Sequence, residues 1–95
     1  MMTLALAHTL LPDSMLVGAP DTFVARVHSD TRSLRPGDLF VALRGERFDA
    51  HDFLKDAVEK GAAALVVHDA LRVAGLGVPV LVVDDTLHAL GALAR

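Results

Sequence analysis

The densest run of side chains able to do chemistry lies between Ser29 and Phe53, in SDTRSLRPGDLFVALRGERFDAHDF. Ser29, Thr31 and Ser33 supply hydroxyl donors and acceptors. Arg32 and Arg47 supply planar, permanently charged forks suited to a phosphate. A second polar group, Glu46, Arg47, Asp49, His51 and Asp52, crowds residues 45–53. Three uses fit that crowding: a metal or catalytic site, a helix cap beside a solvated loop, or a loop that touches a polar ligand.

The metal reading is the weakest. The chain has no cysteine, so thiolate sites and disulfides are excluded. His8, His28, His68 and His88 lie far apart in sequence, and His51 and Asp52 point to different sides of the helix they open, so isolated surface histidines are expected. A phosphate loop needs Gly, four residues and then Gly-Lys-Ser/Thr, and no glycine here begins one. Gly75-Leu76-Gly77 leads through Pro79 into a strand pattern rather than a helix, so it is not a dinucleotide fingerprint. PVLVVDD, residues 79–85, has the strand-plus-acidic-pair opening of a receiver domain. Only ten residues follow Asp85, leaving no room for the phosphoacceptor strand, so Asp84 or Asp85 reads as a helix cap.

The elements that position these residues follow from periodicity. Thr3 caps a short helix carrying Leu4, Leu6, Leu10 and Leu11, which Pro12 ends. Met15 to Val17 reads as a minor strand, and the alternation over 23–28 as one half-buried strand. In Arg35-Pro36-Gly37-Asp38, proline presets the first central φ and glycine supplies a positive second one, specifying a type II turn. Residues 39–43 are apolar on both alternating faces, as in a strand covered on both sides. Asp49 and Asp52 read as capping residues before a stripe of Phe53, Leu54, Ala57 and Val58, closed by Lys60 and Gly61. Residues 63–67 and 78–83 read as buried strands. A last helix places Leu87, Leu90 and Leu93 on one expected face. Strands alternating with helical patterns predict a small layered α/β domain, a mixed β-sheet flanked by helices.

Ninety-five residues, 53% apolar, make one packed domain. A formal charge of −3 with nine scattered basic residues gives no nucleic-acid footprint. No apolar run reaches the roughly 18 residues of a membrane span, and no signal peptide opens the chain, so a cytoplasmic protein is expected. The helical pattern runs to Arg95 without C-terminal punctuation, as expected of one module of a longer protein.

DTRSLRPGDLFVALRGERFDAHDF, followed by GAAALVV and VLVVDDTLHALGALAR, resembles the N-terminal domain of the Mur ligase family. GERFDAHDF tilts the resemblance toward the D-alanyl-D-alanine-adding type rather than the type that adds the third amino acid. It covers the chain from about Phe23 onward. It implies residues 1–95 as a single domain binding the UDP moiety of UDP-N-acetylmuramoyl-tripeptide. Central ATPase and C-terminal domains of the same ligase would be its partners, with no nucleic acid and no membrane. In the family an acyl phosphate formed from ATP is attacked by an amine, with ATP and Mg2+ held by downstream residues. This stretch is therefore expected to carry no catalytic residue and no metal ligand, and to be inactive alone. Carried over by motif, Ser29 and Thr31 fall at the positions facing UDP, and Glu46, Arg47 and Phe48 in the loop after the glycine, with Phe48 a stacking candidate. A standalone binding module on the same fold is the remaining alternative.

Overall fold

The computed structural model describes residues 2–45 and 49–94. Strand β1 (Met2–Thr3) runs into helix α1 (Leu4–Leu10), whose first turn is capped by the Thr3 hydroxyl accepting from the Leu6 N–H at 3.3 Å. Then follow β2 (Met15–Val17), β3 (Phe23–Val24), β4 (Arg26–His28) and β5 (Asp38–Val41). Helix α2 (Leu54–Glu59), β6 (Ala64–Val67), β7 (Val80–Val82) and α3 (Thr86–Leu93) complete the chain. Short 3-10 turns at Thr31–Ser33, Ala50–Phe53 and Ala70–Val73 lie in the crossovers.

The main sheet has the order β2-β7-β6-β5-β4. β4, β5, β6 and β7 are parallel, and β2 joins β7 antiparallel, so the sheet is mixed, as the sequence predicts. β5 and β6 are buried along their whole length because both faces are covered. Leu39, Val41, Ala64, Val66 and Leu81 face α1 and α3, packing on Leu4, Ala7, Ala89 and Leu93. Phe40, Ala42, Leu65, Val67 and Val80 face the other way, onto Leu54 and Ala57 of α2. In-register pairs such as Phe40 with Leu65 keep each apolar set on its own side.

Two expectations need correction. Residues 23–28 are not one strand. The chain pairs with Met2 and Thr3 over β3, leaves that ladder at Ala25, and joins β5 from Arg26 onward. The half-buried alternation is the trace of two short edges with different partners, and Phe23 lies exposed beside buried Val24. In α3 the buried stripe is Thr86, Ala89 and Leu93, with Leu90 half-buried, while Leu87 is exposed. Steps of three residues rotate about 300°, so Leu87, Leu90 and Leu93 fan out around the helix instead of sharing a face. Of the two capping candidates, Asp84 and Asp85, it is Asp85 that caps this helix as expected, accepting from Leu87 N–H at 3.0 Å and His88 N–H at 3.2 Å.

The turn before β5 forms as expected. Gly37 has φ +89°, and Asp38 N–H donates to the Arg35 carbonyl at 3.1 Å. Gly61, after α2, has φ +98° and lies against Pro36, where a Cβ would come within 3.0 Å of the Pro36 Cα. Gly37 N–H donates to the Gly61 carbonyl at 2.9 Å, so the turn and the helix end are locked together. Gly61→Ala should therefore lower the unfolding free energy by about 1–3 kcal/mol through backbone strain and a clash with a neighbouring main chain. Gly77→Ala, at φ +76° but with open space around the added carbon, should cost less. Urea unfolding of both variants is the check; equal midpoints would mean the Pro36–Gly61 approach imposes no constraint.

Candidate functional site

A cavity of about 540 Å³ opens over the carboxyl ends of β4 and β5. Ser29, Asp30, Thr31 and Arg32, from the connection between the two strands, line it together with Ala50 and Phe53 from the next connection. Phe40 of β5, 1% exposed, also lines it. Of the residues singled out in the sequence, Ser29 and Thr31 thus line one cavity. Glu46, Arg47 and Phe48 lie outside the described residues. The described residues Arg44 and Asp49 pair as an isolated antiparallel bridge.

The polar wall is held from three sides. Asp38, 1% exposed, takes Arg26 through both carboxylate oxygens at 3.0 and 2.9 Å and accepts the Arg35 N–H at 2.8 Å. Arg26 also donates to the Ser33 carbonyl at 3.0 Å. His28 Nε2 and the Ser33 hydroxyl are 2.7 Å apart. From just beyond the end of α2, Lys60 Nζ donates to the Thr31 carbonyl at 2.7 Å. Ser33 is thereby used in bracing and does not line the cavity.

Arg32 is spoken for by a neighbour. Its guanidinium donates to both oxygens of Asp30, at 2.8 to 3.2 Å. That hydrogen bonding, with the Arg32 N–H accepted by the same carboxylate, holds the Asp30 carboxyl down to about 2. The rim pair is close to neutral, so Arg32 is a local partner of Asp30 as well as part of the cavity wall.

On the loop's other side the expectations change more. Asp49 does cap, but it caps the 3-10 turn Ala50–Phe53, accepting from His51 N–H at 2.9 Å. Asp52 does not cap: it is exposed and its carboxylate takes Arg72 Nη2 at 2.5 Å, an ion pair twenty residues away that local spacing cannot reveal. His51 is not a surface histidine, being 3% exposed. Its Nδ1 lies 2.7 Å from Asp49 Oδ1, and its Nε2 accepts the His68 N–H at 3.0 Å. A backbone N–H can only donate, so Nε2 carries the lone pair and Nδ1 the proton, which makes the ring neutral. Its ring meets that of His68 edge-on, 4.1 Å between centroids. Arg44 Nη1 donates to His68 Nε2 at 3.0 Å, and Arg72 Nη1 stands 3.7 Å from Asp49. His51 and His68 come together here as a brace between the ends of β5 and β6. Among the described residues no group of side chains is placed to hold a metal ion.

Asp30, Phe40, Ala50 and Phe53 line the cavity without having been singled out as ligand-facing. The signal was present for Phe53, an aromatic directly after the polar run, but the helical stripe absorbed it.

In open α/β sheets the crevice outside the carboxyl ends of the parallel strands is the usual place for a ligand, and the cavity lies there. The chain belongs to the Mur ligase family: a model described as the Mur ligase family, catalytic domain, matches residues 24–95. It is 53% identical over 79 residues to the UDP-N-acetylmuramoyl-tripeptide–D-alanyl-D-alanine ligase of Escherichia coli K12, covering 83% of this chain and 17% of the relative. A 2,6-diaminopimelate-adding relative from Streptomyces coelicolor is 42% identical over 88 residues, covering 88% of this chain and 17% of the relative. Among solved structures, a MurF from Acinetobacter baumannii superposes with a TM-score of 0.83 at 33% identity, covering 96% of this chain and 20% of that one. The chain spans about a fifth of the length of the relatives it matches. No helix among the described residues is long and apolar enough to cross a membrane.

The His51 brace has a pH consequence. Burial lowers its pKa most; the Asp49 hydrogen bond opposes this, while His68 and Arg72 add to the lowering, and the net shift is down from 6.5. Its stabilising contribution is therefore present above about pH 6.5 and is lost as pH falls from there to the depressed folded value. Ring-proton NMR should show His51 titrating below 6.5, and His51→Gln should flatten part of the fall in melting temperature between neutral and acid pH. A His51 ring titrating at or above 6.5 would contradict the neutral brace.

Proposed function

We propose that this chain binds the UDP end of UDP-N-acetylmuramoyl-tripeptide, as the N-terminal part of an ATP-dependent ligase that adds D-alanyl-D-alanine. The observation that supports it is the cavity carrying Ser29 and Thr31, in a chain 53% identical to a relative of that name. A uracil edge presents acceptor, donor and acceptor in a row. The Ser29 and Thr31 hydroxyls, with main-chain groups braced by Lys60 and Arg26, suit such an edge. On this reading the loop carrying Glu46, Arg47 and Phe48 also lies against the nucleotide. ATP and Mg2+ act in the central domain, so the fragment alone does not ligate. The UDP-linked substrate and the other domains of the ligase are its partners, in the cytoplasm.

The 42% identity to a diaminopimelate-adding relative favours a second reading, in which the same UDP end is bound but the third amino acid is added. The amino acid or dipeptide that stimulates turnover in the full-length protein separates the two.

Thr31→Val keeps the shape and removes one donor-acceptor group. It should raise the Michaelis constant for the UDP-linked substrate by about five- to tenfold, equivalent to the order of 1 kcal/mol for one hydrogen bond, with the ATP constant unchanged. Arg47→Ala should weaken the same substrate, more at low salt. If both variants keep the parental constant for that substrate, these loops are structural and the site assignment is wrong.

A further inference from the structure

We propose that His51 Nε2 works as a proton-operated latch: a proton taken up there releases the turn Ala50–Phe53 from the end of β6, while the opposite wall of the cavity stays braced. Such a latch acts whatever ligand the cavity takes. The bond in question joins two crossovers. His51 belongs to the turn that follows β5, and its Nε2 accepts the N–H of His68, the residue directly after β6. A main-chain N–H can only donate, so the bond exists only while Nε2 keeps its lone pair. Protonation leaves two donors 3.0 Å apart, at a ring whose residue is 3% exposed. A buried donor without an acceptor destabilises the closed arrangement, and opening returns both groups to water.

The surrounding charges set the direction. Asp49 Oδ1, 2.7 Å from Nδ1, favours a charged ring, but the same carboxylate also takes the His51 N–H and has Arg72 at 3.7 Å. Asp52 is occupied by Arg72. Against the added charge stand Arg72, from the crossover after β6, and the His68 ring, whose own Nε2 holds Arg44 from the exit of β5. His28 and His8 are not built this way. Each meets a serine hydroxyl at 2.7 Å, His28 that of Ser33 and His8 that of Ser14. A hydroxyl donates or accepts, so either contact survives protonation of the ring. The wall carrying Ser29 and Thr31 is held by Arg26, Asp38 and Lys60, none of which needs a histidine lone pair. Acid therefore unfastens one wall and leaves the other.

Amide exchange in the protein, corrected for its intrinsic pH dependence, tests the latch. At neutral pH His68 N–H should exchange through a local opening that sub-denaturing urea does not move. Leu65 N–H, bonded to the Pro79 carbonyl within the sheet, should follow urea. As pH falls from 6.5, His68 protection should drop about tenfold per pH unit, the slope for one proton bound on opening, until His51 reaches its lower folded value. His51→Gln offers an amide oxygen that accepts without titrating, so protection should persist and lose this pH dependence. His51→Asn can still donate to Asp49 but falls short of His68, so protection should be lost already at neutral pH. Where either variant fails to fold, the parent profile decides alone. A His68 N–H that follows urea as Leu65 does, or whose protection is flat below pH 6.5, overturns the latch. So does a folded His51→Asn variant that protects His68 N–H as well as the parent does.

Discussion

One buried carboxylate organises this fold. Asp38 opens β5 at 1% exposure, and its two oxygens take the Arg26 fork from β4 and the Arg35 N–H from the turn between them. Its own carbonyl accepts the Ala63 N–H at the entry to β6. Burial pushes the Asp38 carboxyl up, but the Arg26 guanidinium and the Arg35 N–H together outweigh this and the net shift is down. The carboxylate thus stays ionised where an unpaired one would not. Its contribution is present above the ordinary carboxylate value of 3.8 and is lost as pH falls below it. Sequence order, edge-strand pairing and the turn all converge on this one side chain.

What Asp38 fixes, the cavity inherits. Arg26 reaches past Asp38 to the Ser33 carbonyl, so the 3-10 turn Thr31–Ser33 is held by the same guanidinium that pins the strand edge. Gly61 lets Pro36 approach the end of α2, which brings Lys60 close enough to hold the Thr31 carbonyl. The second wall depends on a separate network, from Arg44 and His68 through His51 to Asp49 and Arg72. Two braces built from different residues therefore face one space. Each wall is stiff on its own, which favours a site formed before its ligand arrives.

The sequence made visible whatever depends on near neighbours. The type II turn, the Thr3, Asp49 and Asp85 caps and the doubly covered β5 and β6 follow from residue types a few positions apart. Features set by remote partners were hidden. The break at Ala25 exists because Met2 and Thr3 compete for β3. Asp52 belongs to Arg72, and His51 is buried by a β6 that begins thirteen residues later. Of the residues lining the cavity, Ser29 and Thr31 stand out in the sequence because a hydroxyl-rich loop after a strand is unusual in so apolar a chain. Phe53 was misread for a geometric reason. It ends a 3-10 turn, where each residue rotates about 120°, so a stripe counted at 100° carries it into the core when the backbone turns it toward the cavity.

The charge balance around the cavity then bears on how it would tell ligands apart. Arg32 is neutralised by Asp30, Arg72 by Asp49 and Asp52, and Arg26 by Asp38, while His51 is uncharged. These walls leave little uncompensated positive charge to attract a phosphate at a distance. On the reading proposed above, selection there would fall to shape and to hydrogen bonding along an edge, which read a base and not a charge. The diphosphate of a UDP-linked substrate would need its counter-charge from Arg47 or from the remaining four-fifths of a full-length relative. On the reading proposed above, such a division would leave this chain to recognise the handle of the substrate, with the charged chemistry carried out at a distance from it.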